Sequence, residues 1–188
     1  ISEDDIHFPY YGKLLDKLVL EFNKPVEEVI KKGTESGSND ARFFHDFLAE
    51  IAENANVSIE DIDLENTDEV KEKGPLNWGW VQCILKAIDK KSSWSEASLK
   101  KFTYDVFLYL TIPAIREEIN KAIKKILDED EACVVVGHSL GTVVAYNILR
   151  EKPNLKACKF ITLGSTLGVT AIKNYIKTPI KMTECVSK

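Results

Sequence analysis

From Ala132 to Leu149 the chain reads ACVVVGHSLGTVVAYNIL, and no other stretch limits the possible folds so tightly. An apolar run rich in β-branched side chains comes first, then Gly137-His138-Ser139-Leu140-Gly141, then a second apolar run at helical spacing. Polar side chains at the middle of two buried-looking runs require a sharp turn between them. The pattern predicts a strand, a strained turn at Ser139 and a helix, with the serine hydroxyl projecting from the top of a sheet. Glycine at 137 and 141 is expected because a side chain at either position would collide with the neighbouring strand or helix. The start of the helix leaves backbone N–H groups free, and that of Leu140 is placed to face a developing oxyanion.

The flanking sequence extends this α/β reading. Pro113 opens a helix whose buried stripe is Ile115, Ile119, Ala122, Ile123, Ile126 and Leu127. Its acidic Glu117 and Glu118 precede Lys121, Lys124 and Lys125, an order that suits the helix dipole. The CVVV run after it predicts a central strand of a parallel sheet covered on both faces. TVVAYNILREK then reads as a helix, and KFITLGS, beyond Pro153-Asn154, as a second strand. Two successive strand–helix–strand signals make α/β the expected class.

Upstream, Ile6, Phe8 and Tyr10 alternate as a short strand would, ending at Gly12 before a helix. Residues 33–40, GTESGSND, read as a loop ending in a helix N-cap at Asn39 or Asp40. Phe44, Phe47, Leu48, Ile51, Ala52 and Ala55 then form one helical stripe. The acidic stretch from Ser58 to Gly74 reads as an exposed connection with a short helical turn. Two helices follow, one containing WVQCILKAI and one running roughly from Ser95 to Leu110, with all three tryptophans (Trp78, Trp80, Trp94) in or beside them.

Composition narrows the partners. The 188 residues carry a net charge of −5, with 44% hydrophobic and 29% charged side chains. No basic stripe exists to neutralise phosphates, which argues against nucleic acid. The longest apolar run, VFLYLTIPAI from Val106, is about half a bilayer span and is interrupted by Pro113, so no transmembrane segment is expected. Cys83, Cys133, Cys158 and Cys185 show no CxxC pair and no histidine cluster, the usage of reduced thiols in a cytoplasmic protein. No metal or cofactor is implied, and nothing fixes the oligomeric state.

VVVGHSLGTVVAYNIL resembles the nucleophile elbow of the α/β-hydrolase family, in particular the lipase and esterase type with His before the serine. FITLGSTLG is similar to the segment after the elbow helix in lipase-like members, although many of those have proline where this chain has Thr166. The resemblance covers about residues 104 to 169. It implies a parallel-sheet three-layer α/β/α sandwich spanning 1–188 as a single domain, incomplete at both ends. Residues 76–110 are a possible helical cap, whose aromatics would either shape an acyl pocket or pack as ordinary core.

The implied activity is that of a serine hydrolase on a small-molecule ester or acyl substrate, with Ser139 as nucleophile and Leu140 N–H in the oxyanion hole. Gly137, His138 and Gly141 would support the elbow, and Ser165 would line the pocket or cap the following helix. The family places a histidine base after the serine, whereas His7, His45 and His138 all precede it. His138 lies on the wrong side of the turn to take the proton, and no early His-Gly loop supplies a second oxyanion donor. Two explanations fit: the chain is the middle of a longer hydrolase, or a catalytically inactive binding or scaffold module keeps the motif.

Overall fold

The computed structural model describes residues 3–22, 39–66, 70, 73, 77–127, 131–152 and 154–176. The helices are α1 (Gly12–Phe22), α2 (Asn39–Asn54), α3 (Ile59–Leu64), α4 (Trp78–Lys91), α5 (Glu96–Thr111), α6 (Pro113–Lys124), α7 (Leu140–Glu151) and α8 (Thr170–Ile176). The two strands are β1 (Cys133–His138) and β2 (Ala157–Leu163), which pair in parallel across α7. Among the described residues the protein is therefore mainly helical with a two-stranded sheet. That overturns the expected three-layer α/β/α sandwich: one strand–helix–strand unit is present, not an extended parallel sheet. The strand expected at Ile6–Tyr10 is also absent. Phe8 and Tyr10 are exposed, and Pro9 removes a ladder donor in their midst.

The chain divides into two compact units. The first comprises Ile1–Glu21, Leu108–Gly168 and Ile172–Lys188, and it carries β1, α7 and β2. Its sheet is sided. Val135 and Cys133 of β1 and Phe160 of β2 pack around Leu149, Leu155 and Ala157. The register Val134↔Lys159, Val136↔Ile161 and His138↔Leu163 places the opposite face in one row. There Val134, Val136, Ile161 and Leu163 are 56, 57, 39 and 51% exposed. The expectation that β1 is covered on both faces is thus corrected: the β-branched run has one face on α7 and the other bare.

Within the same unit, the phenol of Tyr109 near the end of α5 donates to Asn120 Oδ1 of α6 at 2.9 Å. It accepts from Asn147 Nδ2 of α7 at 3.2 Å. All three side chains are buried, and burial pushes the Tyr109 phenol up to about 12. Buried polar groups of this kind need partners, and here each supplies one to the next.

The second unit, Phe22–Phe107 with Val169–Ala171, is helical. Leu48, Ala52, Val57 and Ile62 meet Trp80, Val81, Ile84 and Ile88 of α4, with Leu99 of α5, in one apolar cluster. A second layer is aromatic: Phe43, Phe44 and Phe47 of α2 lie against Phe102, Tyr104 and Phe107 of α5, at ring separations of 5.0 to 6.5 Å. In the 76–110 stretch these aromatics and Trp80 thus pack as helix core. Trp94, resting on Phe102 at 5.7 Å, stays partly exposed. The acidic stretch holds α3, begun by a capping box in which Ser58 and Asp61 satisfy each other's backbone N–H.

Candidate functional site

The strand–turn–helix of the GHSLG segment sits wholly in the first unit. β1 ends at His138 and α7 begins at Leu140, leaving Ser139 as the single residue between them. Its backbone has φ +53 and ψ −125, a conformation that L-residues with a Cβ rarely hold. Serine at a helix N-cap normally has extended backbone and turns its hydroxyl onto the first-turn N–H groups. Ser139 does neither, and its hydroxyl makes no capping bond. The side chain is half-buried.

Three bonds hold this turn. Ser139 N–H donates to Leu163 O at the end of β2, at 3.0 Å. The Ser139 carbonyl accepts from Thr142 N–H at 3.0 Å and from the Thr142 hydroxyl at 2.7 Å. Ser165 Oγ donates to Thr142 Oγ1 at 3.2 Å and accepts from Leu167 N–H at 3.3 Å. Ser165, expected to line a pocket or cap the next helix, thus bonds the first turn of α7 and closes its own turn.

The two glycines differ. A Cβ at Gly137 would stand 2.8 Å from Thr142 Cα, 3.0 Å from Gly141 O and 3.1 Å from Thr142 N, all backbone atoms with nowhere to go. A Cβ at Gly141 would meet only the Tyr11 hydroxyl at 3.7 Å, an ordinary contact. The expectation of collision at both positions holds at 137 and fails at 141.

The N–H groups of Leu140 and Gly141 open α7 without an acceptor among the described residues. With the helix dipole behind them, they make the start of α7, directly after Ser139, electropositive. The Leu140 side chain is buried and anchors the helix start. His138 lies on the bare face of β1, with exposed ring, and its Nε2 stands 3.8 Å from where a Cβ on Gly164 would be. Gly164 has φ +51, so its backbone favours glycine, while the 3.8 Å to His138 is an ordinary contact.

No described histidine is hydrogen-bonded to Ser139. His7 is exposed, and His45 pairs with its neighbour Asp46 at 3.1 Å in the second unit. A surface hollow of about 560 Å³ lies along α6, lined by Arg116, Lys121, Lys124 and Glu151 among others, and it does not include Ser139. Among the described residues no group of His, Cys, Asp and Glu converges to hold a metal ion. No described helix is long and apolar enough to cross a membrane. Cys83, Cys133 and Cys158 form no disulfide among the described residues, and Cys185 lies outside them.

Sequence reasoning missed Thr142, although a hydroxyl three residues after the serine was the available signal. It also missed the Tyr109–Asn120–Asn147 set, whose members are far apart in the chain. Compared with known families, curated proteins and solved structures, the chain finds no match.

Proposed function

We propose that the protein is a serine hydrolase that cleaves an ester or related acyl bond through an acyl-enzyme on Ser139. The observation that carries this reading is the backbone of Ser139, φ +53 and ψ −125, at a strand-to-helix junction where the hydroxyl caps nothing. A conformation of that cost persists only where the surroundings enforce it, and such positions cluster at functional sites.

In this mechanism Ser139 Oγ attacks the acyl carbon and its proton passes to a general base. The carbonyl oxygen becomes an oxyanion facing the Leu140 N–H, which strengthens its hydrogen bond as charge develops. Collapse breaks the bond to the leaving alcohol, which takes the proton; water then releases the acyl group by the reverse sequence. The substrate is a small molecule, in keeping with a net charge of −5 that does not favour nucleic acid. Reduced Cys83, Cys133 and Cys158 favour a cytoplasmic setting.

The test is labelling with a fluorophosphonate probe. Wild type is expected to be tagged on Ser139, and Ser139→Ala is expected to lose the tag. Absence of labelling under conditions that tag a control hydrolase refutes the proposal. One observation favours a second reading, a non-catalytic ligand-binding module: no described histidine reaches Ser139 to serve as base. Saturable binding of an ester without turnover or labelling would select it.

A further inference from the structure

We infer that Thr142 is a positioning residue that aims the Leu140 N–H by clamping the carbonyl of Ser139. The inference rests on the acyl-transfer reading for its chemical consequence, but its geometry stands separately. The peptide joining Ser139 to Leu140 is planar, so the Ser139 C=O and the Leu140 N–H point in opposite directions and turn together. Whatever fixes the carbonyl therefore fixes the oxyanion donor.

The carbonyl is held twice by one residue, from Thr142 N–H at 3.0 Å and from the Thr142 hydroxyl at 2.7 Å. Thr142 is fully buried, so no water competes for that hydroxyl. The hydrogen bonds run one way, from Leu167 N–H to Ser165, from Ser165 to Thr142, and from Thr142 to the Ser139 carbonyl. A chain of hydroxyls in one direction strengthens each of its bonds. It also ties the loop after β2 to the first turn of α7.

Thr103 shows what a buried helical threonine does without this task. It is equally buried, and its hydroxyl bonds the carbonyl four residues back, Leu99 O, at 2.8 Å. Thr142 instead reaches three residues back, to the one residue that is outside the helix and strained. The Cβ position of Gly137 lies 2.8 Å from Thr142 Cα, so the strand beneath fixes the clamp from the other side.

The test compares Thr142→Val, which keeps the shape and removes the hydroxyl, with Thr142→Ser, which keeps the hydroxyl, and with Ser165→Ala. Two quantities are read in the whole chain: the fluorophosphonate labelling rate of Ser139, and the NMR shifts of the Ser139 carbonyl carbon and the Leu140 amide. Removing one oxyanion donor outright costs about a hundredfold or more. A misaimed donor is expected to slow Thr142→Val labelling by about tenfold, with Thr142→Ser within about twofold of wild type.

The two resonances should move in Thr142→Val and return in Thr142→Ser; Ser165→Ala should shift them in the same direction and by less. Unmoved resonances in Thr142→Val, or equal slowing in Val and Ser variants, overturn the clamp. If Thr142→Val does not fold, unmoved resonances in Ser165→Ala overturn it instead. Moved and rescued resonances in a chain whose wild type takes no label would leave the clamp standing and remove the hydrolase reading. Labelling of Thr142→Val at the wild-type rate would do the reverse.

Discussion

Replacing Ser139 by glycine is expected to make the first unit more stable than replacing it by alanine. Both variants lose the hydroxyl and hence the proposed nucleophile, so the comparison isolates the backbone. Alanine keeps a Cβ and inherits the strain of φ +53 and ψ −125. Holding a non-glycine residue in so sparsely populated a region costs about 1–3 kcal/mol, which glycine escapes. Glycine forfeits about 0.5–1 kcal/mol through the larger entropy of its unfolded chain. The difference leaves glycine ahead by about 1 kcal/mol.

Tryptophan fluorescence would miss the effect, because Trp78, Trp80 and Trp94 all lie in the second unit. Amide hydrogen exchange of peptides from β1 and α7 reads the first unit directly, and about 1 kcal/mol appears there as roughly fivefold slower exchange. Exchange in Ser139→Gly as fast as in Ser139→Ala, or faster, would show that the turn stores no strain and would remove the main support for Ser139 as a built nucleophile.

Gly137→Ala places a Cβ against three backbone atoms of Gly141 and Thr142 and should destabilise β1 and α7 by about 1–3 kcal/mol, read by the same exchange experiment; Gly141→Ala should change little. Tyr109→Phe leaves the Asn120 and Asn147 amides partly unpartnered in the core, at about 1–3 kcal/mol. Because the Tyr109 phenol is raised to about 12, it favours the folded state below pH 10, and that contribution fades as pH rises from 10 toward 12. Ultraviolet difference titration should find one tyrosine ionising with unfolding, and Tyr109→Phe should lose it.

Asp61 is held down to about 2, first by its bond to Lys91 and then by Ser58. Its contribution is therefore present above pH 4 and is lost between about 4 and 2. Helix content followed by circular dichroism should fall less steeply across that window in Asp61→Asn, and an unchanged slope would count against the pairing.

What the sequence could disclose follows the range of the forces involved. The start of α6 was legible because proline at its first position is a local signal; its end was not, since the stripe expected through Leu127 stops at Lys124 and Ile126 is exposed. The strand-to-helix turn was legible for the same reason: strand, turn and helix lie within nineteen consecutive residues. The breadth of the sheet was not, since Val134 and Val136 look the same in a sequence whether a second layer covers them or water does. At Ile6–Tyr10 alternation alone suggested a strand, but a strand needs a partner, and Pro9 withholds one of the donors it would use.

Helix α3 was only partly anticipated, as a short helical turn within an exposed connection. The missed signal was the spacing of Ser58 and Asp61, a capping box written in the chain. The Tyr109–Asn120–Asn147 bonds join residues 11 and 38 apart, which no local pattern encodes.

An exposed apolar face such as that of the β1–β2 pair favours contact between copies in solution. Val134, Val136, Ile161 and Leu163 form an adhesive row, while a net charge of −5 keeps copies apart. The repulsion reaches about 10 Å at 0.1 M salt and only about 3 Å at 1 M, whereas the apolar attraction is not screened. Added salt thus shifts the balance toward attraction, and ionic strength becomes the control on colloidal behaviour.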